Sequence, residues 1–301
     1  MPKGLNLILK TEIITWNKNV ERFFRLESKS IALKHAKQNS RSVSIKKIWY
    51  CSQGHLVVGF IIKPKKINGK LPCIIYNRGG SGEFGIIQES VLFSRLACMA
   101  LWGYLVIATQ YSGNGGSEGK DEFGGGDLED VFQLYKILKK DPRADVTRIG
   151  MYGGSRGGMM AYLALAKVKW IKAAITVGGV TNLFRQDKLR PEMKKLFQKM
   201  FGGSKTEKQK RSAIFWTHRF CKKTPLLIMH GTADWRVSPL DSLELSQKLY
   251  QNKVPHRLVL FEGADHGLTE YKSETMELTR QWLDRFVKNR ERLPNLKFHG
   301  L

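Results

Sequence analysis

Carboxylates are scarce in this chain. Its 301 residues hold 26 Asp and Glu against 51 Lys and Arg, a formal net charge of +25. Three readings compete: a nucleic-acid binder, affinity for anionic membranes or acidic substrates, or solvated surface lysines. No nucleic-acid motif accompanies the charge. The basic residues are spread along the chain in short runs such as Lys63-Pro64-Lys65-Lys66, Lys194-Lys195 and Lys222-Lys223. A solvated surface with non-specific polyanion binding is therefore expected, with no specific nucleic-acid partner. Cysteine is sparse too. Cys51, Cys73, Cys98 and Cys221 lack metal-ligand spacing, so neither a bound metal nor a disulfide framework is expected, and reduced thiols fit a cytosolic protein. Cys73 reads as a small core residue. Long apolar runs are missing. Leu5 to Leu9 and Ile13 to Trp16 are broken by Lys10 and Glu12, and no small-residue cleavage site follows. No membrane span is expected, and cytoplasmic residence is the default. The oligomeric state is left open.

What is present is a turn. Gly153-Gly154-Ser155-Arg156-Gly157-Gly158 follows the strand-like run Arg148 to Tyr152 and precedes the helix-like run Met159 to Ala166. A strand, a tight Gly-x-Ser-x-Gly turn and a helix form a nucleophile elbow. Its glycines make room for a strained turn that holds the serine hydroxyl clear of the sheet. Serine is a poor nucleophile at its own pKa, so the elbow requires a base and an orienting acid elsewhere.

The chain supplies both, in the order Ser, Asp, His. His230-Gly231-Thr232-Ala233-Asp234-Trp235-Arg236-Val237 follows a strand-like run from Pro225 to Met229. Glu262-Gly263-Ala264-Asp265-His266-Gly267 follows another from Arg257 to Phe261. Loops past the C-terminal ends of parallel strands share one edge of a sheet, where sites form. Ser155 is read as nucleophile, His266 as base and Asp234 as its orienting acid. Asp265 and Asp241 are the rival acids, and His230 reads as structural. The backbone N–H of Arg156 is one expected oxyanion donor. The second is assigned to Gly79 and Gly80, in the glycine-rich loop after the strand-like run Leu71 to Tyr76.

These segments resemble the catalytic domain of the prolyl oligopeptidase family of serine peptidases. Gly-Gly-Ser-Arg-Gly-Gly-Met-Met-Ala-Tyr at 153–162 is similar to its elbow. The segments 230–237 and 263–267 are similar to its acid and histidine loops, and the glycine-rich stretch 111–131 also matches. The resemblance covers about residues 43–290 and implies an α/β-hydrolase fold, no cofactor, and peptide bonds as substrate. Two departures stand out. No blade-like repeat of the family's β-propeller is visible. The first oxyanion loop reads Asn77-Arg78-Gly79-Gly80, without the tyrosine that often donates there. Arg78 either binds a substrate carboxylate or pairs with an acidic neighbour.

The expected organisation is an N-terminal extension at 1–42, helical or irregular, and a catalytic domain at 43–290 with a helical cap insertion at 180–222. A C-terminal tail follows at 291–301. The domain opens with a hairpin across Ser52-Gln53-Gly54 and continues in helix–strand alternation, which argues for a mostly parallel, doubly wound sheet. Asp127 is expected to cap the helix that follows it. The function expected is a serine hydrolase working through an acyl-enzyme, a peptidase on short peptides. A carboxylesterase or thioesterase on small acyl esters is the alternative. The alternative of another class is a non-catalytic polyanion-binding protein.

Overall fold

The computed structural model describes residues 7–26, 30–297 and 299. The chain divides into two compact units. One comprises the residues up to Asp121 together with Glu129–Thr147, the other Glu122–Leu128 and the residues from Arg148 onward.

The first unit holds β1 (Ile8–Ile14), β2 (Val43–Ser52), β3 (His55–Pro64), β4 (Leu71–Asn77) and β5 (Leu105–Thr109). They are ordered β1-β2-β3-β5-β4. The first three pairings are antiparallel and β4–β5 is parallel. β2 and β3 form the expected hairpin, with Ser52 opposite His55 and positive φ at Gln53 (50°) and Gly54 (83°). Right-handed strand twist favours such a turn. β2 alternates buried and partly exposed positions, as a strand covered on one face does. β4 and β5 are buried throughout, which matches their uninterrupted apolar sequence. The N-terminal segment is helical in part, as expected, and differs in one element. Ile8–Ile14 pairs with β2 as an edge strand before two helices, Lys18–Leu26 and Ser30–Ser42. Lys10, Thr11 and Glu12 disguise it, because an edge strand faces solvent and needs no apolar periodicity.

The second unit carries a parallel sheet in chain order: β6 (Ala144–Gly154, from Arg148 on), β7 (Ile171–Val177), β8 (Leu226–Gly231) and β9 (His256–Phe261). Parallel neighbours need crossover connections, and helices supply them. Arg156–Leu165, buried at every residue, joins β6 to β7, and Pro239–Gln251 joins β8 to β9. All four strands therefore end at one edge.

Between β7 and β8, residues 180–222 contain only helices and turns. The helices are Leu183–Leu189, Pro191–Phe201 and Lys205–Arg211, followed by 3₁₀ turns at Ala213–Phe215 and Thr217–Arg219. Their boundaries are written locally. Asn182 accepts from the N–H groups of Phe184 and Arg185, Pro191 opens the second helix, and Ser204 accepts from Glu207 N–H. Phe197 is buried against Phe123 and Phe201, each 5.3 Å away between ring centres. No helix among the described residues is long and apolar enough to cross a membrane.

Candidate active site

Ser155 sits where β6 reverses into the helix Arg156–Leu165, with φ 55° and ψ −123°. A non-glycine residue rarely adopts positive φ, and the surroundings must hold it there. They do so through the backbone. Ser155 N–H donates to the Val177 carbonyl at 2.8 Å, and its own carbonyl accepts from Gly158 N–H at 2.9 Å. The return is so tight that a Cβ on Gly153 would collide with the Gly157 carbonyl. Glycine at 153 is thus a steric requirement.

Asp234 and His266 lie in the loops after β8 and β9, and His266 Nδ1 is 2.7 Å from Asp234 Oδ2. A carboxylate accepts, so Nδ1–H donates and leaves Nε2 as the outward nitrogen. The other carboxylate oxygen accepts from the N–H groups of Arg236 at 2.8 Å and Val237 at 3.0 Å. Gly178, immediately after Val177, joins this pair to the elbow strand. A Cβ there would lie 3.1 Å from His266 Nδ1 and 3.2 Å from Asp234 Oδ2.

His230 belongs to the same cluster. It is fully buried at the end of β8, and its Nε2 lies 3.1 Å from Asp234 Oδ2 and 2.9 Å from the Val237 carbonyl. Carbonyl and carboxylate can only accept, so Nε2 carries the proton. Nδ1 meets Ser242 Oγ at 2.6 Å. Burial pushes the Asp234 carboxyl up. The hydrogen bonds from His230 and His266 outweigh that effect, and Asp234 stays well below the usual carboxylate range.

The rival acids are committed elsewhere. Asp265 accepts from Gly267 N–H, Thr269 N–H and Thr269 Oγ, closing its own loop. Asp241 accepts from the N–H groups of Thr181 and Asn182 and pairs with Arg185 at 2.6 Å.

Arg156 follows Ser155 and is itself 1% exposed. Its guanidinium pairs with the buried Asp127 carboxylate and lies 4.8 Å from the Phe123 ring centre. Asp127 also accepts from Gly124 N–H at 2.9 Å. A side chain that reads as a helix cap therefore anchors the side chain of the residue after Ser155.

Arg78 is held inside the protein. It is 1% exposed, and its guanidinium donates to the carbonyls of Gln110, Gly79, Phe84 and Gly82. Tyr111 Oη donates to the Arg78 carbonyl at 3.1 Å. These bonds tie the guanidinium to the loop that carries Gly79 and Gly80. Gly80 itself has φ 73°. Among the described residues, no group of three or more His, Cys, Asp and Glu is arranged to hold a metal ion.

Sequence reasoning missed two participants. His230 was legible as a histidine at a strand end four residues before Asp234, in the same motif. The Asp127–Arg156 pair joins positions 29 apart and carries no local signal.

The model of the prolyl oligopeptidase family matches residues 90–290. The uncharacterized peptidase YtmA of Bacillus subtilis is 29% identical over 256 residues, covering 83% of this chain and 96% of that protein. Dipeptidyl-peptidase 5 of Porphyromonas gingivalis is 27% identical over 78% of this chain, which spans 36% of it. Among solved structures, an acylaminoacyl peptidase of Pyrococcus horikoshii superposes with a TM-score of 0.74 at 22% identity, over 86% of this chain and 44% of that one. The likeness establishes the α/β-hydrolase fold.

Proposed function

The chain belongs to the prolyl oligopeptidase family and is a serine hydrolase, and on that premise we propose that it cleaves short peptides through an acyl-enzyme on Ser155. The observation that carries this reading is the 2.7 Å hydrogen bond between His266 and Asp234, beside the strained Ser155 elbow.

In the proposed cycle His266 Nε2 takes the Ser155 Oγ proton as the oxygen attacks the scissile carbonyl. Asp234 holds Nδ1–H in place and stabilises the imidazolium that forms. The Arg156 N–H donates to the developing oxyanion, and Gly79 and Gly80 remain the candidates for the second donor. His266 then returns its proton to the leaving amine. Water, activated by the same imidazole, releases the acyl group. Residues 180–222, anchored by Thr181, Asn182 and Arg185 on Asp241, would shape the substrate pocket.

The test is kcat/KM on a matched ester and amide bearing one acyl group, with a fluorophosphonate as covalent probe. Labelling that depends on Ser155, with productive turnover of a short peptide amide, is the expected result. Labelling with ester turnover alone would transfer the protein to the esterase reading. No adduct on the wild-type protein would overturn the hydrolytic role of Ser155.

A further inference from the structure

The opposite edge of the second unit's sheet holds a different feature. A cavity of about 580 Å³ lies where the elbow helix ends, β7 begins and the chain approaches β8. Six cations line it: Lys167, Lys169, Lys172, Arg219, Lys222 and Lys223. No Asp or Glu is among its lining residues, and all six cations are exposed. Among the described residues, no carboxylate pairs with any of them. A smaller cavity in the first unit, of about 300 Å³, has its Lys63 paired with Asp141 at 2.7 Å.

This edge is held together from beneath. Cys221 N–H donates to the Leu165 carbonyl at 3.4 Å, and Thr224 Oγ donates to the Ile171 carbonyl at 2.7 Å. Two segments some fifty residues apart are thereby fixed side by side, with Val168, Ile171 and Phe220 as an apolar floor. The carbonyl end of the elbow helix attracts a lysine or two by its partial negative charge. Six unpaired cations exceed what half a unit charge calls for. Holding like charges together costs energy unless an anion relieves it.

We propose that this cavity binds a compact multivalent phosphate anion, of the di- or triphosphate class. The volume falls in the range of small-molecule sites, and its recess suits a small ligand better than an extended polymer, which would reach the rim alone. Lysines grip phosphate as point charges, and the flexible stems of five of them can close on it. The chemistry is shared by inorganic oligophosphates and by nucleotides, whose base would lie on the apolar floor.

Calorimetric titration of the full chain with inorganic triphosphate and with ATP, at about 50 mM salt so that screening is weak, tests this. Wild-type protein should bind triphosphate saturably at one site. Lys169→Glu with Lys222→Glu should weaken binding about tenfold or more, since each lost charge-assisted contact is worth about that factor. Lys195→Glu with Lys199→Glu changes net charge equally at two exposed positions away from the cavity and should leave the affinity within about twofold. Thermal melting verifies that both pairs are folded. Tighter binding of ATP than of triphosphate would assign the site to nucleotides, and equal binding to the phosphate chain. Absence of saturable binding, or equal losses in the two pairs, would overturn the proposal.

Discussion

At the C-terminal ends of β6 to β9 the carboxylates Asp127, Asp234 and Asp241 are buried and partnered: Asp127 with Arg156, Asp234 with His230 and His266, Asp241 with Arg185. At the opposite edge of the same four strands, six cations are exposed and have no carboxylate partner among the described residues. A charge taken out of water must be matched by a fixed partner, and that match fixes geometry. A charge left in water has no fixed partner, so it stays available to a mobile ion. One edge is built for position and the other for attraction.

The contrast can be broken most violently at the buried edge. Ser155→Ala should lower kcat by about a millionfold, as loss of an activated serine does in comparable triads, with the melting temperature nearly unchanged. His266→Ala should match it, and steady-state turnover with burst labelling would read both. Asp234→Asn should cost about ten-thousandfold in kcat, because the amide favours the wrong tautomer of His266. Full activity in that variant would reassign the orienting acid.

The Asp234 substitution also carries a pH signature. The folded-state pKa is depressed, so the stabilising contribution of the carboxylate is present above its unfolded value, about 3.9. It is lost as pH falls through the folded-state value. Urea unfolding should show a constant stability gap between wild type and Asp234→Asn from neutral pH to about pH 5, closing in more acid solution. A gap that persists unchanged in strong acid would contradict the depressed pKa.

Asp127→Asn should strand the Arg156 guanidinium and cost about 3–5 kcal/mol in urea unfolding. Combining Asp127→Leu with Arg156→Met should recover most of that loss, because it removes both buried charges. If Asp127 positions Arg156 N–H, Asp127→Asn lowers kcat with KM held. A stability loss without a kcat effect would make the pair a packing element alone. At the other edge Lys169→Glu with Lys222→Glu should leave both kcat and the urea midpoint in place. A shift in either would mean that the two edges are coupled.

Much of this arrangement was legible from local pattern. The hairpin at Gln53-Gly54, the buried runs of β4, β7 and β8, and the elbow at Ser155 are each written within about a dozen consecutive residues. Short-range sterics and burial act over that length, so spacing alone reveals them. β1 was not legible, because its pairing with β2 is long-range and its exposed face carries no period.

The sequence by itself determined which residues have the chemistry for hydrolysis and on which side of a parallel sheet their loops emerge. Only the tertiary structure decided what each charged side chain is for. Arg78 reads as a ligand for a substrate carboxylate or a partner for an acidic neighbour, and it is buried with its guanidinium donating to four carbonyls. Asp127 reads as a helix cap and anchors the residue after Ser155. The lysines at 167–172 and 222–223 read as scattered decoration and converge on one cavity. A charge acquires its role from its partner and from how much water remains around it, and both are set by residues distant in the chain.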